Sequence, residues 1–244
     1  MKKLLVIVPA YNEAKNLPLL LGELKEFIGL TKTKNLEIEV LVINDCSKDD
    51  TSLNCRENGI NVVDLPCNLG IGGAVQTGYK YAQKNDFDYA IQIDGDGQHD
   101  PSYILNLVEP LVSEEADLVI GSRYIDYKGF QSSLLRRMGI RFFTILIKSL
   151  SGKKITDPTS GYRACNKTLI HKFAEVYPKD YPEPESIMSC LRNGFFLKEV
   201  PVLMRERKEG VSSINIPKSI YYMFKVSLAI FIDWLRKDTL KQGA

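Results

Sequence analysis

Two aspartates and a glutamine, Asp94, Asp96 and Gln98, alternate with glycines in the stretch IQIDGDGQHDP, directly after an apolar run. Carboxylate and amide oxygens suit a hard divalent cation, and Mg²⁺ is commonly held by one or two carboxylates together with substrate phosphates. Two carboxylates this close, just past a buried strand, repel each other unless a positive charge sits between them. Gly95 and Gly97 leave room for a tight turn and for a phosphate group. A solvated Asp-Gly turn would use the same residues, so the other residues brought to this point decide between the two.

The surrounding pattern supplies them. Short apolar runs recur at Leu4–Val8, Val40–Ile43, Val62–Leu65, Ala90–Ile93 and Leu118–Ile120, with helical patterns near 14–28, 49–58, 71–85 and 102–113 between them. Strands apolar on both faces and alternating with helices predict a mostly parallel sheet covered by helices, an α/β fold. In such sheets ligands sit beyond the carboxyl ends of the strands. The polar residues found there are Tyr11, Asn12 and Glu13, then Asn44 and Asp45, then Asp94 and Asp96, then Ser122 and Arg123. Four strand ends converging on one rim favour a metal site over a bare turn.

The second half is less regular. It reads as a basic helix near 133–150, a loop DPTSGYRA, helices near 166–175 and 185–193, a strand over Phe195–Met204 and an apolar helix after Pro217. Without a linker or repeat, one catalytic domain is expected over 1–212, followed by an amphipathic helix and tail over 213–244.

Composition narrows the class. A hydrophobic share of 44% and a charged share of 25% exclude a disordered chain. The five cysteines are odd in number and form no CxxC pair, which points to reduced thiols and not to a disulfide framework or zinc site. The opening MKKLLVIVPAYNE breaks at Pro9 and runs into Glu13, so it reads as a first strand and not a signal peptide, and a cytoplasmic location is expected. Residues 1–122 hold 10 basic and 19 acidic side chains, a balance of −9. Residues 123–244 hold 22 and 11, a balance of +11.

The glycine-rich stretch NLGIGGAVQTGYKYA matches neither common phosphate motif. A dinucleotide fingerprint from Gly70 and Gly72 needs glycine where Val75 stands, and a P-loop from Gly73 reaches Gly78 but then meets Tyr79 before Lys80. What remains is a turn opening a helix, either facing an anion with its backbone N–H groups or packing closely through small residues.

In order, VIVPAYNEAKNL, VLVINDCSKDDT, NLGIGGAVQTG, IQIDGDGQHDP, VIGSRY and DPTSGYRA resemble the motifs of the family 2 inverting glycosyltransferases, in particular the dolichol-phosphate-mannose-synthase-like branch. The resemblance covers about residues 3 to 210. It implies a single-domain nucleotide-diphospho-sugar transferase fold of the GT-A type. It also implies that Pro9, Tyr11, Glu13 and Asp45 contact the nucleotide, and that Asp94, Asp96 and Gln98 hold Mg²⁺ or Mn²⁺ and the donor diphosphate, with Asp96 at the reacting centre.

The acceptor determines which further residues are needed. A sugar hydroxyl must lose a proton as it attacks and calls for a carboxylate base. A phosphate monoester, with a second pKa near ~6, is already a dianion and calls for cations. Arg123 and Arg137, fourteen residues apart, match two arginines that bind acceptor phosphate in the lipid-phosphate enzymes, and Arg207 matches a basic position near the donor. Two features depart from the relatives: Gly210-Val211-Ser212-Ser213 lacks a lysine they usually carry, and DYPEPES places Glu183 beside the matched Glu185. The acidic pair suits either a hydroxyl-activating base or the start of a helix. His99 and His171 read as structural or surface residues.

The last helix has only seven charge-free residues in VSLAIFI, far short of the roughly 20 a membrane span needs. Lys218, Lys225 and Arg236 share one stripe and leave an apolar face with Tyr221, Tyr222, Phe224 and Trp234. Such a helix lies in a membrane interface or packs on protein, and Arg136, Arg137, Arg141 and Lys148 would attract anionic lipid. The expected activity is metal-dependent transfer of a sugar from a nucleotide diphosphate, with uracil preferred because Asp45 suits an N–H-bearing base edge, to a polyprenyl phosphate. It would occur peripherally at the inner face of the cell membrane, with a homo-oligomer or membrane partner conceivable and no nucleic acid involved. The competing expectations are transfer to a sugar hydroxyl and, from another class, a nucleotide-sugar-binding subunit without turnover.

Overall fold

In a computed structural model of the chain, residues 1–31, 35–127, 129, 134–206 and 216–235 are described. The apolar runs form strands β1 (Lys2–Ala10), β2 (Leu36–Asn44), β3 (Asn61–Asp64), β4 (Tyr89–Gln92) and β5 (Leu118–Ser122). Between and after them lie α1 (Leu17–Thr31), α2 (Thr51–Glu57), α3 (Gly70–Lys84), α4 (Ile104–Val112) and α5 (Leu134–Ser151). The second half adds β6 (Arg163–Asn166), α6 (Lys167–Glu175), α7 (Pro182–Arg192), β7 (Leu197–Pro201) and α8 (Ile216–Leu235).

One sheet of seven strands results, in the order β3-β2-β1-β4-β6-β5-β7. All pairs are parallel except those of β6, which runs antiparallel to β4 and β5. The sequence predicts a loop through Ala164 and a helix from about residue 166, and no strand between them. The only apolar residues of β6 are Ala164 and Cys165 between an arginine and an asparagine, too short a run to show a two-residue period.

The two-residue period of the long strands divides the core. Leu5, Ile7, Leu41, Ile43, Ala90, Leu118 and Ile120 face α3, α5, α6, α7 and α8. Leu4, Val6, Val8, Val40, Val42, Ile91 and Ile93 face α1, α2 and α4. Helix α8 contributes Val226 and Ile230 to the first layer, so it is built into the core. The expected boundary at 212/213 falls outside the described residues. Because β1, β2, β4 and β5 run the same way, their carboxyl ends share one rim, and the chain's direction switches between β1 and β4, where such folds open a crevice.

The glycine-rich start of α3 serves packing. Gly72 donates its N–H to Lys179 O at 3.1 Å, and a Cβ there would run into the carbonyl oxygens of Pro178 and Lys179. Both obstacles are backbone atoms that cannot rotate away. Gly72→Ala should therefore destabilise the fold by about 1–3 kcal/mol through overpacking. Urea unfolding should show a lowered midpoint with an unchanged slope, and an unchanged midpoint would mean the 178–179 turn is not held against α3.

Candidate active site

The strand ends bring Pro9, Tyr11, Glu13, Asp45, Asp94 and Asp96 to the wall of a single cleft of about 400 Å³. Asp45, only 4% exposed, accepts the N–H of Leu69 on Oδ1 at 2.7 Å and that of Gly70 on Oδ2 at 2.9 Å. A carboxylate at this place complements the positive end of α3. The Gly70 and Gly72 N–H groups of this helix are thus taken by Asp45 and Lys179 O, and Gly72 serves close packing. Glu13 is half-buried and accepts the Asn16 side-chain amide at 2.6 Å, while its own N–H goes to Thr51 Oγ1.

Asp94 and Asp96 follow β4 into the same cleft. Asp94 Oδ1 accepts Gln92 Nε2 at 3.0 Å, and its backbone N–H donates to His99 Nδ1 at 3.0 Å. Gly161 lies so close that a Cβ would stand 2.9 Å from Asp94 Oδ2. Asp96 Oδ1 accepts the Gln98 N–H at 3.1 Å. Gln98, expected beside them as an oxygen donor, turns its Nε2 to Arg205 O at 3.2 Å and accepts the Arg205 N–H on its carbonyl. It is chiefly a clamp between this loop and the segment after β7, and offers at most Oε1 to a ligand. Among the described residues no three His, Cys, Asp or Glu side chains form a ready-made metal cage. Two carboxylates on one cleft wall still suit a hard cation that takes its remaining oxygens from phosphate and water.

The arginines are placed differently from one another. Arg123, 5% exposed, sets Nε and Nη2 against Asp157 Oδ2 and Oδ1 at 2.7 and 2.8 Å. Asp157 therefore takes the Nε/Nη2 edge of the Arg123 guanidinium. Its loop is held in turn by Glu199, which accepts the N–H groups of Thr156 and Asp157 at 2.9 Å. Arg137 on α5 is half-buried, and its Nε finds no hydrogen-bond partner among the described residues. Arg207 lies outside the described residues, as do residues 210–213, Arg236 and the side chains of Lys218 and Tyr222.

The glutamate pair opens α7 and splits between two surroundings. Glu183 has its carboxyl pushed up by burial, with Arg163 opposing and Asp94 and Arg136 also felt. Glu185, the glutamate matched to the relatives and a candidate catalytic residue, is raised to about 7 by burial and next by Asp180, with Lys225 and Asp233 of α8 nearby. The structure thus associates Glu183 with the Asp94 side and Glu185 with α8. Two positions apart on a helix, they point in different directions.

Several residues that shape the site escaped the sequence reading. Arg163, fully buried, donates to Ser160 O and Glu183 O and to Ser186 Oγ. Gln92, Asp157 and Glu199 act through the neighbours just described. Their signal in sequence is a polar residue inside an apolar run, as Gln92 is in YAIQI. Asp157 and Glu199 carry no such mark.

The Glu185 environment makes stability depend on pH. With its carboxyl raised from 4.5 to about 7, the folded chain binds more protons than the unfolded chain between those values. The stabilisation from this group is therefore complete below pH 4.5 and is lost as pH rises through about 7. Glu185→Gln should flatten the profile, matching the parent near about pH 5 and exceeding it near about pH 8. Urea midpoints across that range test it, and two parallel profiles would remove Glu185 as the titrating group.

The model of the family described as Glycosyl transferase family 2 matches residues 5–173. The polyprenol monophosphomannose synthase of Mycolicibacterium smegmatis is 29% identical over 236 residues, covering 93% of this chain and 86% of that protein. A UDP-N-acetylglucosamine–dolichyl-phosphate N-acetylglucosaminyltransferase of Methanococcus voltae is 29% identical over 224 residues, covering 82% of this chain and 85% of its own. The fold is shared with glucosyl-3-phosphoglycerate synthase from Mycobacterium tuberculosis, solved with Mn²⁺, UDP and phosphoglyceric acid, at a TM-score of 0.72 and 18% identity over 98% of this chain and 80% of that one. With the family model spanning strands β2 to β6 and the Asp94–Gln98 loop, this chain belongs to glycosyl transferase family 2 and is a glycosyltransferase.

Proposed function

We propose that this glycosyltransferase moves a sugar from a nucleoside diphosphate sugar, UDP-linked in preference, to a polyprenyl phosphate. Pro9, Tyr11, Glu13 and Asp45 would line the nucleoside end of the cleft, with Asp94 and Asp96 at the diphosphate. Mg²⁺ or Mn²⁺ held by these two aspartates would offset the charge left on the departing diphosphate. The acceptor oxygen attacks the anomeric carbon opposite the leaving group, which inverts its configuration.

The observation that carries the acceptor half is Arg137. A half-buried guanidinium whose Nε lacks a partner among the described residues bears a desolvation cost that a bound anion would offset. A phosphate dianion needs such a cation and no base. Arg123, buried and fixed by Asp157, would add positive charge from behind the cleft, and Arg207 is proposed on the donor side. The two relatives' names, which refer to polyprenol monophosphomannose and dolichyl phosphate, support the same acceptor class. One observation favours the second reading, transfer to a sugar hydroxyl. Glu183, raised by burial and within the influence of Asp94, has the character of a general base.

Transfer assays separate the two. Losing a charge-assisted hydrogen bond to the acceptor anion should cost about 1.5–3 kcal/mol, so Arg137→Ala should raise the acceptor requirement roughly ten- to a hundredfold. Donor affinity should stay near the parent value, and Glu183→Gln and Glu185→Gln should be mild. An inactive Glu183→Gln enzyme beside a nearly normal Arg137→Ala enzyme would establish the hydroxyl acceptor instead.

The lipid acceptor calls for a membrane surface, and the proposed location is peripheral at the cytoplasmic face. No helix among the described residues is long and apolar enough to cross a membrane. Exposed apolar side chains recur at helical spacing on α5, at Leu134, Met138, Phe142 and Ile145, and on α8, at Tyr221, Phe224, Leu228 and Phe231. On α5 the apolar stripe is flanked by the exposed Arg141 and Lys148, which suits an anionic interface. Met138→Asp with Phe224→Asp should abolish sedimentation with anionic vesicles and leave the melting temperature unchanged. If the parent never sediments and instead runs as a dimer that this variant dissociates, the stripes meet a second copy of the chain.

A further inference from the structure

Beyond β4 the chain leaves its ladder at Asp94. Ile93 and Gly95 still donate their N–H groups to Ile7 O and Pro9 O of β1, at 2.9 and 3.3 Å. The Asp94 N–H therefore points the other way, toward β6, whose pairing with β4 has already ended at Gln92 and Arg163. A half-buried N–H with no strand opposite it needs an acceptor. His99 Nδ1 supplies one at 3.0 Å.

The histidine is fixed on every side. Its ring is 3% exposed and stacks on Tyr162 with centroids 4.7 Å apart and planes 15° apart. The Tyr162 hydroxyl donates to Asp100 O at 2.8 Å, which holds the platform, and the His99 backbone forms a β-bridge with Met204. Since Nδ1 accepts, the ring proton of the neutral imidazole resides on Nε2, 3.8 Å from Asp94 Oδ2. Gln92 Nε2 holds the other oxygen, and the missing Cβ of Gly161 leaves the room in which the carboxylate sits.

We propose that His99 is a positioning residue of the cleft: by accepting the Asp94 N–H it fixes the backbone that aims the Asp94 carboxylate. The inference rests on the reading of Asp94 as a residue that holds a divalent cation with the donor diphosphate. His99 touches neither donor nor acceptor in this role. It does for Asp94 what hydrogen-bonded neighbours of metal ligands generally do, and loss of such a neighbour typically weakens metal affinity roughly ten- to a hundredfold.

Three variants of the whole chain test it, with UDP and Mn²⁺ as probes in calorimetry. His99→Phe keeps a ring on Tyr162 but loses the acceptor, and should weaken Mn²⁺-dependent UDP affinity roughly ten- to a hundredfold while metal-free UDP affinity holds. His99→Asn loses the stack but offers an oxygen near the Nδ1 position, and should recover most of the loss. Asp94→Asn should lose the Mn²⁺ dependence outright. Parental affinity in His99→Phe beside a defective Asp94→Asn overturns the positioning role. A normal Asp94→Asn overturns the underlying reading of Asp94 instead. Nitrogen NMR of the unmodified protein gives a check that no folding defect can obscure: the His99 proton should reside on Nε2, and a proton on Nδ1 overturns the proposal.

Discussion

Four carboxylates, those of Glu13, Asp45, Asp94 and Asp96, are delivered to one cleft by strands that all end at the same rim. Their mutual repulsion is the constraint to which the surrounding structure responds. Each is held by a neutral donor: Asn16 on Glu13, the Leu69 and Gly70 N–H groups on Asp45, Gln92 on Asp94 and the Gln98 N–H on Asp96. Neutral donors fix an oxygen without cancelling its charge. At Asp45 and Asp94 such donors leave a charge better suited to a cation arriving with a substrate than to a phosphate arriving alone.

The positive charge is kept behind this wall. Arg123 is bound to Asp157 and Arg163 to backbone carbonyls and a serine hydroxyl, both buried. A buried ion pair such as Arg123–Asp157 contributes little net stability, yet removing one partner typically costs about 3–5 kcal/mol. Such groups fix geometry more than they hold the fold together. Glu199, raised by burial and satisfied by the Thr156 and Asp157 N–H groups, extends this arrangement to β7.

What the sequence made legible was whatever has a period or ends a strand. The long strands, their helices and the rim residues Glu13, Asp45, Asp94 and Asp96 were readable because hydrophobic alternation and polar strand ends are local properties. Strand β6 was not, because Arg163-Ala164-Cys165-Asn166 is too short for a pattern and pairs only through tertiary context. The roles of Glu183 and Glu185 could not be separated without the orientation of α7. Gln98 and Arg123 were recognised as polar residues at the rim, but their partners, Arg205 and Asp157, are distant in sequence. His99 reads from sequence as a structural or surface residue; that it is buried with Asp94 as its partner depends on where the β4 ladder stops.

The antiparallel strand has a consequence for how the molecule is made. Strand β5, apolar and fully buried, pairs with β6 and β7, both of which emerge from the ribosome after it. Strand β4 likewise waits for Arg163 to reach Gln92. During synthesis the first three strands can assemble with their helices while the centre of the sheet stays open. Long-range pairings of this kind slow folding and leave apolar edges exposed in the meantime. Strand β5 therefore keeps an unpaired apolar edge until β7, and not only β6, has been translated.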